Sequence, residues 1–331
     1  MRGFTRRAVN SLQSHPLERS LGEIWYTMRV NSDLSIAILG WKSPVTTRHS
    51  LETYRAAGLY DCCGEFFIYY NQYSDADRAL GEEMGVRTCG GPENLGNWGG
   101  QKKILEIAKG DYVLFLENDH PVVTTPEETR YWLTAALELL KSGKADMVQV
   151  RHRQRLGDGY ACSHFFKYFA VHELDERCED LRLTLPGDYA SDTLVRKLRR
   201  TLRPFAARRR LVGRLFLERH PDLELPGLVR KEGDFYIVDS QILNFSESPF
   251  MVSKAFYERL SEWAESHPRH RTILGHQELE YILNCQWWRD SHFRIALCDT
   301  GVFGHRRMDD SWRPNHASFN QKIVSRQGRT A

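Results

Sequence analysis

The chain has 331 residues, of which 41% are hydrophobic and 27% charged, and its formal net charge is +3. That length can bury a large core, and the composition excludes a disordered chain. So small a net charge does not imply nucleic acid, and no stretch reaches the roughly 18 consecutive apolar residues of a membrane span.

Near the start, Arg2, Arg6 and Arg7 are followed by Gln13, Ser14, His15 and Glu18, which interrupt the apolar run that a secretory signal needs. The expectation is therefore a cytoplasmic chain. Seven cysteines (62, 63, 89, 162, 178, 285 and 298) form an odd set without CxxC spacing, which argues against both a zinc site and a disulfide framework. Residues 1–32 show no clear period and read as an N-terminal extension or a helix packed on the outside.

Leu34 to Gly40 predicts a first strand, aliphatic, β-branched and stopped by glycine. Pro44, with Leu51, Tyr54 and Ala57 at helical spacing, predicts a helix ending near Gly58. Glu65 to Tyr70 reads as the second strand, and a polar loop from Asn71 leads to a helix over about Asp75 to Met84. Asn94 to His120 then holds a glycine-rich loop, a helix, a turn at Gly110-Asp111 and a hydrophobic strand, Tyr112 to Leu116, that stops in Glu117-Asn118-Asp119-His120. Strands alternating with helices predict a parallel sheet with helical crossovers. In such a sheet ligands sit at the carboxyl ends of the strands, so this strand delivers charge to the functional edge. Thr125-Pro126 starts the next helix, and Ala145 to Val150 is a further strand.

These features together resemble the GT-A glycosyltransferases, most closely the inverting family 2, over about 34–150 and 234–306. The resemblance is carried by Trp41-Lys42 after the first strand, Asn71 after the second, Asn94-Leu95-Gly96, and Leu116-Glu117-Asn118-Asp119-His120 in place of the family's Leu-Asp-x-Asp-Asp. Gln101-Lys102 stands where members often have Arg-Asn, and Glu117 where they have Asp. The resemblance implies a nucleotide-diphospho-sugar transferase fold: a Rossmann-like, mostly parallel central sheet with helices on both faces, here with a basic helical insertion. It divides the chain into 1–32, a nucleotide-sugar half at 33–150, the insertion at 151–233, an acceptor half at 234–308 and a tail at 309–331.

The activity it implies is metal-dependent transfer of a sugar from a nucleoside-diphosphate sugar to a hydroxyl of a glycan or lipid-linked acceptor, with inversion. Glu117, Asp119 and His305 would hold Mn²⁺ or Mg²⁺, with His120 competing for the histidine place. Gly40, Trp41, Asn71, Asn94, Gly96, Lys102, Lys103 and Asn118 would meet the donor. Gln277-Glu278 takes the place of the family's Glu-Asp pair, which makes Glu278 the expected general base. Each assignment has a plainer counterpart: acids that cap the next helix, an exposed lysine face, or a glutamate favoured by a helix dipole. Trp98 reads equally as a stacking ring or a core anchor.

The insertion carries nine Lys or Arg residues between Arg196 and Arg214. Leu194, Leu198, Leu202 and Phe205 share one helical face there, so 194–214 suits an anionic membrane surface as well as a solvated helix. A sugar nucleotidyltransferase of similar fold, or a non-catalytic binding module, is the alternative. The first lacks its glycine-rich basic loop after the first strand, since Gly40-Trp41-Lys42-Ser43 stands there.

Overall fold

The computed structural model describes residues 31–153, 155, 215, 219–268 and 272–309. The first strand, β1 (Leu34–Gly40), is buried along its whole length, as expected of an uninterrupted apolar run covered on both faces. It lies between β2 (Glu65–Tyr70) and β4 (Tyr112–Glu117), parallel to both, and β3 (Arg87–Gly90) closes that edge. Beyond β4 come β8 (Phe250–Ser253), β5 (Met147–Gln149), β9 (Arg294–Cys298), β7 (Phe235–Asp239) and β6 (Val229–Glu232), completing a nine-stranded sheet in the order β3-β2-β1-β4-β8-β5-β9-β7-β6. Only β7 and β8 run against the common direction, so the expected mostly parallel α/β sheet is present.

Helices cover both faces. On one lie α1 (Pro44–Ala56), α2 (Asp75–Met84) and α4 (Pro126–Lys141), whose Leu51, Tyr54, Leu80, Met84, Trp132 and Leu133 pack with Ile36 and Ile38 of β1. On the other lie α3 (Gly96–Ile107), α6 (Lys254–Ser266), α7 (Leu279–Leu283) and α8 (Gln286–Asp290), packed with Ala37 and Leu39. Successive β1 residues point to opposite faces and so divide between the two cores. Capping boxes start α2 at Ser74 and Asp77, and α4 at Thr125 and Glu128. The amino end of α1 is instead satisfied from a distance, where the Asp309 carboxylate accepts from the amides of Val45 and Thr46, each at 3.1 Å.

Two arrangements go beyond the linear reading. Because β8 is antiparallel, with Phe250 opposite Phe115, the residues just before β8 enter at the edge where β4 ends. Val229–Glu232, placed by the sequence in the insertion, follows the short α5 (Pro221–Glu224) and is an edge strand paired with β7 around Gly233, a left-handed turn residue at φ 58°. Its Arg230, Lys231 and Glu232 hide the strand signal, since charged side chains are usual where only one edge of a strand is paired. The basic helix expected over 194–214 lies outside the described residues, as do 1–30 and the tail beyond Asp309.

Candidate metal and transfer site

At the carboxyl end of β4 the chain turns sharply, with the His120 amide donating to the Glu117 carbonyl at 3.2 Å. His120 is held through both its ring and its backbone. Its Nδ1 accepts from the Glu117 amide at 2.9 Å, and its own carbonyl accepts from the buried Tyr54 hydroxyl at 2.7 Å. An Nδ1 that accepts leaves the ring proton on Nε2, which faces Asp119 Oδ1 at 3.7 Å. Burial, only partly offset by Asp119, pushes this imidazole down to about 3, so it is neutral at physiological pH.

The last strand brings a second histidine. After β9 the chain turns at Gly301 (φ 89°), where an added Cβ would lie 2.2 Å from the Arg151 carbonyl. From there 302–306 runs beside 119–123, with the Gly304 amide on the Pro121 carbonyl at 2.9 Å and the Arg306 amide on the Asp119 carbonyl at 2.8 Å. That pairing sets His305 Nε2 3.2 Å from Asp119 Oδ2, and Arg307 Nε reaches the same oxygen at 2.5 Å. Burial alone would raise the Asp119 pKa, but His305, His120 and Arg307 outweigh it and hold the carboxyl well below the usual range. Asp119 is thus a buried anion, 2% exposed, and its Oδ1 has no hydrogen-bond partner.

Glu117, Asp119 and His120 offer ligand atoms that all lie within 4.8 Å of one another. An ionised oxygen without a donor beside a second carboxylate fits a divalent cation, and adjacent imidazole suits Mn²⁺ as well as Mg²⁺. The Glu117 carboxyl is pushed up to about 7 by burial and then by Asp119, against Arg307, His305 and Asn97.

Next to this pair stands a second group of acids. Glu278 stands at the N-cap position of α7, but its side chain makes no cap bond and is left for other use, at 7% exposure. Burial, with Glu117 and Glu280 nearby, pushes it up to about 7. Glu247, three residues before β8, is raised well above the ordinary range by burial and by Glu278 and Glu280, and its Oε1 lacks a hydrogen-bond partner. One side chain joins the groups: Asn97 Nδ2 donates to Glu117 Oε1 at 3.3 Å and to Glu247 Oε2 at 2.9 Å.

The expected donor residues divide. Asn71, Asn94 and Gly96 form one device, in which Asn71 Nδ2 donates to the Gly96 carbonyl at 3.1 Å and Asn71 Oδ1 accepts from the Leu95 amide at 3.3 Å. Asn94 Oδ1 accepts from the Gly96 amide at 2.9 Å. The Asn71 amide, expected to meet a base, is thus engaged in holding the loop. Gly40 lies against the Tyr70 ring, and Trp41 Nε1 donates to Gln72 Oε1 at 2.8 Å at the open edge. Asn118 turns away, donating to Thr47 Oγ1 at 3.1 Å.

Lys102 and Lys103 are not brought to the site. They lie on the outer face of α3, 2.9 Å from Glu265 and 2.7 Å from Glu106, because the helix turns its buried side, Trp98 and Gln101, to the core. Trp98 is a core anchor that donates to Ser261 Oγ at 3.2 Å. Gln101, where the resembled family often has Arg, is buried against the Tyr257 hydroxyl at 2.5 Å.

No known family profile matches the chain, and no curated protein does. Among solved structures it is similar to glucosyl-3-phosphoglycerate synthase from Mycobacterium tuberculosis. The form in complex with Mg²⁺ and uridine diphosphate is 15% identical, at a TM-score of 0.42 over 90% of this chain and 79% of that one. The form with phosphoglyceric acid is 14% identical, at 0.40 over 90% and 80%. A structure described as a mycobacterial protein is 14% identical, at 0.42 over 88% and 72%. At this level of likeness no function passes from those structures to this chain.

The sequence reading missed Glu247, Asn97 and Arg307. Glu247 sits in Ser246-Glu247-Ser248-Pro249, which looks like a polar turn, and only the antiparallel entry of β8 carries it to the edge. Asn97 follows the Asn-x-Gly signature directly, and Arg307 lies two residues after His305, so nearness to the expected site was the available signal.

Proposed function

We propose that the chain is a metal-dependent glycosyltransferase of GT-A type that moves a sugar from a nucleoside-diphosphate sugar to an acceptor hydroxyl. One observation carries this reading: Asp119, a buried anion with an unmatched oxygen, lies beside Glu117 and His305, and Asn97 joins this group to the acids Glu247 and Glu278. In the assigned roles Glu117 and Asp119 hold Mn²⁺ or Mg²⁺. A histidine completes the protein ligands: His120 offers a ligand atom within 4.8 Å of those of Glu117 and Asp119, and His305 Nε2 lies 3.2 Å from Asp119 Oδ2. A bound divalent cation would neutralise the charge developing on the departing diphosphate.

The chain's own residues do the rest. Glu278, with a pKa near working pH, takes the proton of the acceptor hydroxyl. The hydroxyl oxygen forms the new bond to the anomeric carbon as the bond to the diphosphate oxygen breaks and its electron pair leaves with the diphosphate. Direct attack of this kind inverts the anomeric centre. Gly40 and Trp41 border the donor at the strand edge, and the loop held by Asn71 and Asn94 sets the wall. Glycan and lipid-linked hydroxyls are the acceptor classes, with the basic 194–214 segment as the route to an anionic membrane.

A thermal-shift screen of nucleoside diphosphates and their sugars, with and without Mn²⁺, tests the reading. A stabilisation of the folded chain that requires both, and that Asp119→Ala abolishes, is expected. Nucleotide binding indifferent to Mn²⁺ and to Asp119 would refute it.

A further inference from the structure

At the first turn of α3, Asn97 touches three acids that arrive from separate parts of the chain. Its side-chain nitrogen donates one hydrogen to Glu117 Oε1 at the end of β4 and the other to Glu247 Oε2 ahead of β8, 150 residues away. Its backbone amide lies near enough to the Glu278 carboxyl ahead of α7 to favour that group's charged form. Two carboxyl acceptors on the same side fix which way the side-chain amide faces, since its oxygen would be repelled there.

We propose that Asn97 is a positioning residue that couples the metal-bearing acid Glu117 to the acceptor-side acids Glu247 and Glu278. The proposal rests on the metal-dependent reading above and extends it to a link between the two halves of the site.

The residue type suits the task. An amide offers two donors without charge, so it orders both carboxyls and leaves Glu117 its negative charge for a dication. Lysine or arginine there would neutralise the acids, whereas aspartate would add another anion to them. The backbone amide at this position is one of the amino-terminal donors that a helix leaves unmatched, and it is naturally directed at an anion.

The hub is also held in place. Gly96, at φ 72°, lets the loop before α7 approach, and a Cβ there would lie 2.5 Å from the His276 Cβ. Asn71 fixes the same turn from β2. A shift of Glu117 on binding a cation therefore pulls on an amide that is tied to Glu247 and seated beside Glu278.

The test is a double-mutant cycle on the full chain with Mn²⁺ alone as the probe, its dissociation constant read by calorimetry. Asn97→Ala is expected to weaken Mn²⁺ about tenfold, the size found for residues that orient metal ligands. Glu247→Ala is expected to change Mn²⁺ affinity about threefold in the parent and by clearly less beside Asn97→Ala, because part of its influence runs through the amide. Hydrogen exchange gives a second readout: Mn²⁺ slows exchange of the Leu279–Leu283 amides in the parent but not in Asn97→Ala.

Additive effects on Mn²⁺ affinity, together with equal protection of those amides in both proteins, would overturn the coupling while leaving the metal site standing. Failure of the parent chain to bind Mn²⁺ would instead bring down the metal reading itself, and the coupling with it. Should Asn97→Ala not fold, Asn97→Ser, which stays small and loses the two-armed amide, runs the same cycle.

Discussion

Asp119 and Glu117 are two residues apart in sequence yet have opposite acid-base character. Asp119 receives His305 and Arg307 on one oxygen and stays ionised despite burial, whereas Glu117 lies among acids and is pushed up to about 7. Glu278 reaches the same value for similar reasons. A general base with such a pKa is half ionised near neutral pH, and proton removal needs the ionised form. The kcat/KM profile is therefore expected to rise with pH and level off once Glu278 is ionised. Glu278→Gln should remove transfer while leaving Mn²⁺ and nucleotide binding in place, a loss of about 100-fold or more in kcat. Undiminished turnover by Glu278→Gln would end its assignment as the base.

Among the elements, the segment after β9 has the most influence on the site. It ties itself to 119–123 by backbone hydrogen bonds, brings in His305 and Arg307, and ends with Asp309 at the amino end of α1. Gly301 is its entry, and the left-handed backbone there together with the nearby Arg151 carbonyl excludes a side chain. Gly301→Ala is expected to cost about 1–3 kcal/mol, read as a lowered melting temperature. It should also weaken Mn²⁺ binding, because His305 and Asp119 lose their register. An unchanged melting temperature would mean that the segment is not anchored there.

At the scale of the whole molecule, the sheet edge concentrates acids that the fold must bury, and the cost depends on pH. Glu278 has a folded value of about 7 against the ordinary glutamate value of 4.5. Between those values the folded state keeps a proton that the unfolded chain has released, so this group's contribution to stability falls as pH rises through the window. His120, held down to about 3, has the opposite sign, gaining as pH rises from its folded towards its unfolded value. The difference between parent and Glu278→Gln isolates the first effect. By denaturant unfolding in chelator, the Gln variant should gain roughly 2–3 kcal/mol on the parent between pH 4.5 and pH 8. A pH-independent difference would show that Glu278 is not a buried acid. The membrane proposal belongs to this scale too: co-sedimentation with liposomes should depend on anionic lipid, and indifference to lipid charge would dismiss it.

Much of this molecule is local in origin. The sequence alone determined β1, β2 and α2 to the residue, because an apolar run stopped by glycine and a Ser-x-x-Asp capping box act over a few positions. It likewise determined that the strand ending in Glu117-Asn118-Asp119-His120 would bring acids to the carboxyl edge of the sheet. Which acids would meet them there was decided by tertiary structure. Glu247 arrives because β8 enters antiparallel between β4 and β5, a pairing made by non-local hydrogen bonds that leave no periodic trace in the chain. Lys102 and Lys103 are turned outward because α3 buries Trp98 and Gln101 against α6, a choice made by packing. The pKa values of Glu117 and Glu278 are likewise tertiary facts, since burial and neighbouring charge set them and both come from residues far apart in sequence.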